Sequence, residues 1–122
     1  MLIDLVVRVE NEREIEAALW GLLAINERLM SPNWPSVYQL GTHYQREPQG
    51  REKWATAGYM RANPREGFDC EDLASYQVAY LRVTGRDPGA RIALTRVSSG
   101  WHVIVARSDG SFEDPSAALG MR

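Results

Sequence analysis

The sequence predicts one α+β domain, and two patterns carry this prediction. Apolar residues recur at helical spacing in two long segments, one following Asn11 and the other following Asp69. Residues 2–9, 90–97 and 101–107 are instead rich in β-branched and other strand-forming residues. A length of 122 residues with 44% hydrophobic content suits a single core, so we expect one domain over residues 1–122.

The first half of the chain begins with an apolar run at residues 2–9, which predicts a mostly buried strand. Asn11 is a plausible helix N-cap because Glu14 follows three residues later. Apolar residues then continue at helical spacing until Pro32 stops the pattern, which predicts an amphipathic helix of about five turns.

The middle of the chain is harder to assign because prolines and glycines interrupt an aromatic-rich stretch. We expect residues 31–51 to form an ordered loop that contains a short strand at residues 37–44. Residues 52–60 are expected to form a short helix that ends before Pro64.

The second half gives clearer signals. Asp69 is a good N-cap and Gly85 a good C-cap for a helix that begins at Cys70. Two strands, residues 90–97 and 101–107, and a short strand around Phe112 are expected to follow. This order predicts a helix packed on a small antiparallel sheet.

Composition and charge argue against several classes of function. The 14 basic and 16 acidic residues are spread along the chain, so no basic stripe predicts nucleic-acid binding. We find no run long enough to cross a membrane and no export signal. The single cysteine rules out a disulfide within the chain and suits the cytoplasm. We expect no cofactor and no metal, and the sequence does not predict an oligomeric state.

Three residues together predict a thiol-nucleophile site. Cys70 begins a helix, where the dipole favours a thiolate. His102 lies on a predicted strand and could accept the thiol proton, and Asp114 could hold the imidazole in one tautomer. Each residue alone has a more ordinary interpretation: a buried apolar cysteine, a half-buried histidine and a turn aspartate. Their combination favours the site.

The carboxylates next to Cys70 oppose this prediction, because a negative charge directed at the thiol would raise its pKa. We expect Asp69 to cap the helix. Glu71 and Asp72 are expected to point away from the sulfur, toward the helix dipole or a salt bridge.

The hairpin register decides whether His102 and Asp114 can meet. A three-residue loop with Gly110 in the left-handed region places Ile104 opposite Asp114, which puts His102 diagonal to Asp114 on one face. A two-residue loop would put Asp114 on the other face. The site therefore requires the longer loop.

The segments that carry these residues, Gly67–Ala74, Trp101–Val105 and Asp114–Ser116, resemble the core of the transglutaminase-like superfamily of papain-like cysteine enzymes. The resemblance covers residues 67–116. It implies a papain-like fold in which Cys70 is the nucleophile, His102 the base and Asp114 the orienting carboxylate. Residues 38–54 also resemble small transglutaminase-like proteins encoded in tailed phages and prophages.

We therefore predict a thiol-dependent amide hydrolase or acyltransferase that acts on a protein or peptide amide through a thioester at Cys70. One donor to the oxyanion would be the Cys70 backbone N–H. The second oxyanion donor or the substrate-binding contacts would come from residues upstream or beside the histidine: Trp34, Gln39, Tyr44 and Trp101.

Three alternatives stay open. A cell-wall peptide endopeptidase could share the same motif, although no export segment or wall-binding segment accompanies it here. A non-catalytic phage or prophage structural or assembly protein could keep the fold without the activity. A zinc site is less favoured, because one sulfur and dispersed ligands fit structural zinc spacing poorly. If the chain is phage-encoded, its location would be the cytoplasm of the bacterial host.

Overall fold

The computed structural model describes residues 2–5, 12–47, 52–97 and 100–121. The elements of the first half are β1 (Leu2–Leu5), α1 (Glu12–Leu29), β2 (Glu52–Ala55) and α2 (Ala57–Ala62). The second half contains α3 (Cys70–Val83), β3 (Arg91–Val97), β4 (Gly100–Ala106), β5 (Phe112–Glu113) and a short α4 (Pro115–Ala118). Two 3₁₀ turns, Val37–Gln39 and Pro64–Glu66, lie in the connections.

Helix α3 packs against both α1 and β4. The apolar stripe of α1 includes Leu19, Leu22 and Leu23, each at most 2% exposed. Asn26 lies on the same buried side, where its Oδ1 accepts the Ala57 N–H at 2.8 Å and its Nδ2 donates to Ser75 Oγ at 3.0 Å. This amide therefore joins α1 to both α2 and α3 within the core.

The three C-terminal strands form one antiparallel sheet in the order β3–β4–β5. Val105 lies opposite Glu113 in the ladder, and the Arg107 N–H donates to the Ser111 carbonyl at 2.8 Å across the turn. Gly110 has a φ of 91° at the turn, a conformation that glycine adopts without strain. The hairpin thus has the predicted three-residue loop and register.

The middle of the chain differs from the prediction. Residues 52–60 are not one helix: β2 pairs with β1 over Leu2–Leu5, and α2 begins only after Thr56, whose side chain accepts the Tyr59 N–H. Strand pairing and this cap together override the helical pattern.

The strand expected at residues 37–44 was also wrong. Val37–Gln39 is a 3₁₀ turn, in which the buried Val37 donates its N–H to Oε1 of Gln77 at 3.2 Å. Most of this segment satisfies its backbone through side chains and turns rather than a ladder. Of the first predicted strand, residues 2–5 are seen as β1, and residues 6–9 fall outside the described part of the chain.

The α+β class is confirmed by these elements. A helix on a three-stranded antiparallel sheet is a general arrangement and does not by itself establish a papain-like core. Among the described helices, none combines the length and the apolar character that crossing a bilayer requires.

Candidate functional site

Cys70 is the first residue of α3, directly after the Asp69 cap. The loop before it is fixed by residues 43–45, which run parallel to it: the Phe68 N–H donates to the His43 carbonyl, and the Phe68 carbonyl accepts the Gln45 N–H. These bonds hold the start of α3 at a defined place in the fold.

Gly67 allows this close approach of the two segments. Its φ is 79°, and a Cβ at this position would lie 2.6 Å from the His43 ring and 2.8 Å from Cβ of Gln45. A side chain would therefore be strained and would also collide with its neighbours.

His102 and Asp114 meet as the hairpin register predicts. The two oxygens of Asp114 lie 2.9 and 3.0 Å from Nε2 of His102. Because an ionised carboxylate can only accept, Nε2 carries the proton in this contact and Nδ1 is left as the acceptor. The His102 side chain is 8% exposed and the Asp114 side chain 36%, so the pair lies at the edge of the interior.

Asp114 also begins the C-terminal helix. Its Oδ1 accepts the Ala117 N–H at 3.2 Å as the N-cap of α4. At the end of α4, the Leu119 carbonyl accepts the Tyr44 N–H at 2.9 Å. The residue that holds His102 is thus tied through α4 to the segment that fixes the loop before Cys70.

The expected direction of Glu71 is wrong. The Cys70 thiol donates a hydrogen bond to Oε2 of Glu71 at 3.3 Å, and both side chains are buried. Among the described residues, no hydrogen bond links this thiol to His102. Burial raises the pKa of the Cys70 thiol well above its usual range, and the Glu71 and Asp69 carboxylates raise it further.

One contact acts in the opposite direction. The Val103 backbone N–H lowers the pKa of the Cys70 thiol, although by less than burial raises it. Val103 directly follows His102 on β4, the strand that packs against α3. Burial and the neighbouring carboxylates together favour the protonated form of the buried Cys70 thiol.

Asp72 also differs from the expectation. It is fully buried, and its Oδ1 accepts the Ala55 N–H at 2.9 Å instead of serving the helix dipole or a salt bridge. Burial raises the pKa of Asp72 well above its ordinary value, and the charge of Glu71 adds to this. The Asp72 carboxyl therefore joins the first turn of α3 to β2.

The Cys70 N–H, the expected first oxyanion donor, is already used. It donates to Oδ1 of Asp69 at 2.7 Å, and the other Asp69 oxygen accepts the Glu47 N–H at 3.0 Å. Potential metal-ligand atoms of Asp69, Cys70 and Glu71 lie within 4.8 Å of one another. The Asp69 oxygens are explained as a helix cap, so we assign no metal to this cluster.

The four predicted oxyanion or substrate-binding candidates lie in different places. The Tyr44 backbone pairs with Phe68, two residues before Cys70, and burial, followed by the charges of Asp69 and Cys70, raises the pKa of Tyr44 to about 12. The Arg61 guanidinium covers the Trp34 ring at 4.6 Å. Trp101 lies beside Arg96, its cross-strand partner, whose guanidinium is 5.1 Å from the ring.

Gln39 lies in the 3₁₀ turn Val37–Gln39, beside the later part of α3. It borders a surface depression with Gln77, which is seven residues after Cys70 on the helix. The structure thus brings Tyr44 close to the cysteine, whereas no described contact links the Trp34, Gln39 or Trp101 side chains to it.

Sequence reasoning missed two contributors. Glu71 contacts the thiol, and no pattern in the sequence distinguishes a first-turn glutamate that faces its neighbour from one that faces solvent. The Val103 N–H is a backbone group, so residue identity carries no signal for it.

Comparison of the chain with protein-family models, with curated proteins and with solved structures finds no match.

Proposed function

We propose that the chain is a thiol-dependent amide hydrolase or acyltransferase with a small transglutaminase-like core. The observation that carries the proposal is the contact of His102 Nε2 with Asp114 at 2.9 Å. It fixes the tautomer in which Nδ1 is free to act as the base, on the strand that packs against the helix begun by Cys70, the only cysteine of the chain.

The chemistry would proceed in two steps. Nδ1 of His102 takes the thiol proton, and the Cys70 sulfur attacks an amide carbonyl carbon. The C–N bond then breaks, and the imidazolium gives its proton to the leaving amine, which leaves a thioester on Cys70. Water or a second amine attacks this thioester, loses a proton to His102 and releases the acid or the new amide with the free thiol.

For this reaction the thiol must leave Glu71. Rotation about the single Cα–Cβ bond of Cys70 is the least movement that could redirect the sulfur, and catalytic hydrogen bonds are often unformed without substrate. Tyr44 would supply an oxyanion contact, because its backbone pairs with Phe68 just before Cys70 and a tyrosine hydroxyl is a protonated donor at neutral pH.

The first experiment measures the rate of Cys70 alkylation by iodoacetamide as a function of pH. Cys70 is the only cysteine, so all alkylation reports on this thiol. Native protein should react slowly at neutral pH because Glu71 and burial raise the thiol pKa. In Glu71→Gln the rate near pH 6 should rise by about tenfold or more, since one pKa unit changes the thiolate fraction tenfold.

The matched control is the double variant Glu71→Gln/His102→Ala. If His102 and Cys70 form an activated pair once Glu71 is neutral, the double variant loses the gain in rate at low pH. Coincident pH profiles for the single and double variants would show that His102 does not act on the thiol and would contradict the proposal.

A second experiment tests the reaction itself. We expect ammonia release from a blocked glutaminyl-glycine dipeptide, and mass analysis with and without hydroxylamine separates hydrolysis from amine transfer. Cys70→Ala and His102→Ala should each abolish the product, and a native protein that forms neither product nor thioester would contradict an acyl-transfer role.

A second candidate function is favoured by the buried thiol. The hydrogen bond to Glu71 and the raised thiol pKa are what a non-catalytic structural or assembly protein of phage or prophage type would show if it kept the fold without the activity. This candidate predicts that Cys70→Ala leaves folding and assembly intact. Under either proposal we place the protein in the cytoplasm, where a free thiol persists.

A further inference from the structure

A polar depression of about 620 Å³ lies beside the C-terminal half of α3. This volume is in the range of small-ligand sites. Six residues that border it matter for its chemistry: Tyr38, Gln39, Gln77, Tyr80, Arg86 and Arg107. We call it the Arg86 pocket.

The Glu113 carboxylate, which contacts this lining, already has hydrogen-bond and ion-pair partners. Glu113 accepts hydrogen bonds from the Tyr38 hydroxyl at 2.8 Å and from Nε2 of Gln77 at 3.3 Å, and it forms an ion pair with Arg107. Arg107 also pairs with Asp87 at 2.9 Å. These residues form a closed network that leaves little charge for a ligand.

Arg86 is different from Arg107. Its side chain is exposed and its guanidinium lies 5.9 Å from the Tyr80 ring centroid, so the aromatic face orients the cation without neutralising it. None of the ion pairs among the described residues includes Arg86. Gln39 adds a second donor, because its Oε1 accepts from Ser36 and its amide NH₂ is left to donate.

We propose that the Arg86 pocket binds a carboxylate on a peptide, held by the Arg86 guanidinium and the Gln39 amide. A planar guanidinium pairs with a carboxylate through two parallel hydrogen bonds, and a neighbouring neutral donor adds a third contact without repelling the anion.

The Arg86 pocket and the candidate catalytic site share helix α3, which carries both Gln77 and Cys70. Gln77 follows Cys70 by seven residues, so the two lie on the same face of α3 about 10 Å apart along the axis. Glu113 borders the pocket network, and the next residue, Asp114, holds His102.

Resting on the proposed function, the pocket assigns the substrate class: a peptide that carries an acidic residue. The binding itself does not depend on the chemistry of Cys70. A failure of carboxylate binding in the pocket can therefore be distinguished from a failure of the proposed reaction at Cys70.

The test is a titration of the native full-length protein followed by NMR of the Arg86 Nε–H and Gln39 side-chain amide signals. The probe throughout is N-acetylglutamate blocked as its α-methylamide, so that the side chain supplies its one carboxylate. N-acetylglutamine blocked in the same way is the neutral control, and inorganic phosphate is a third arm. We expect saturable shifts with N-acetylglutamate at roughly millimolar concentration, and at least about fivefold weaker binding of the other two.

The variant is Arg86→Gln, with Arg96→Gln as the matched control, since Arg96 is also an exposed arginine beside an aromatic ring. We expect Arg86→Gln to weaken N-acetylglutamate binding about fivefold or more and Arg96→Gln to leave it unchanged. Both side chains are exposed, so both variants should fold.

Three results would overturn the proposal. These are the absence of saturable shifts, equal binding of N-acetylglutamine, and an equal loss of affinity in the two arginine variants. Phosphate binding as tight as N-acetylglutamate binding would show an inorganic-anion site and would also overturn it. Saturable binding that persists in Cys70→Ala would support the pocket even if that protein and the native chain released no ammonia.

Discussion

Replacing Asp114 with alanine tests the geometry of the candidate site through protein stability. The Asp114 side chain makes two sets of contacts: it accepts from Nε2 of His102 at 2.9 and 3.0 Å, and it accepts the Ala117 N–H at 3.2 Å. Alanine removes all of them while leaving the backbone of the hairpin unchanged.

The expected loss follows from these contacts. Removing an aspartate N-cap costs about 1 kcal/mol. A buried donor left without its acceptor costs about 1–3 kcal/mol. We take the lower end, about 1 kcal/mol, because the Asp114 side chain is 36% exposed and water can reach His102 when it is removed. The total is about 2 kcal/mol.

The assay is urea unfolding followed by tryptophan fluorescence, with thermal unfolding as a second measurement. A loss of about 2 kcal/mol should lower Tm by about 6–10 °C for a chain of this length. Asp114→Asn keeps an oxygen acceptor for both contacts and should cost clearly less than alanine.

A double-mutant cycle separates the contribution of the His102 contact from that of the helix cap. In a His102→Ala background, Asp114→Ala should cost only the cap, about 1 kcal/mol, which gives a coupling energy of about 1 kcal/mol. If Asp114→Ala costs less than about 0.5 kcal/mol in the native background, the pair is not formed in solution, and the assignment of Asp114 as orienting carboxylate fails.

Three further predictions concern the framework. Asn26→Ala removes both buried amide hydrogen bonds and should cost about 2–4 kcal/mol in urea unfolding; a loss below about 1 kcal/mol would contradict the core assignment. Gly67→Ala should cost about 2–3 kcal/mol. Gly110→Ala should cost less, because Gly110 also has a positive φ but faces open space; equal losses in the two variants would contradict the expected collision of a Cβ at position 67 with its neighbours. Hydrogen bonds from Ser108 lower the pKa of Asp87 to about 2, so its stabilisation is complete above about pH 4 and is lost toward pH 2. Asp87→Asn should flatten this part of the stability curve measured by urea midpoints, and parallel curves would refute the linkage.

Local signals were sufficient for the second half of the fold. Asp69 and Gly85 enclose α3 because caps act on adjacent backbone groups. Gly110 fixes the hairpin loop, and the loop fixes the register that places His102 beside Asp114. Each of these depends on residues close in sequence, which is why the pattern alone could predict the proximity of the pair.

The middle of the chain and the direction of Glu71 could not be predicted, because they depend on contacts that no local sequence pattern encodes. The segment at residues 52–55 becomes β2 because β1, about fifty positions earlier, pairs with it. Val37 lies in a 3₁₀ turn because its N–H donates to the side chain of Gln77, which is forty residues later in the chain. The direction of Glu71 depends on the space left by packing around the thiol, which only the folded chain defines.

The double use of Asp114 makes the candidate site sensitive to local unfolding. When the single turn of α4 frays, its N-cap loses its partner, and the carboxylate that orients His102 becomes free to rotate. A four-residue helix opens far more readily than the core around α3. Hydrogen exchange at Ala117 would therefore measure how often the imidazole is released, and the fraction of oriented histidine would decrease with temperature well before the protein unfolds globally.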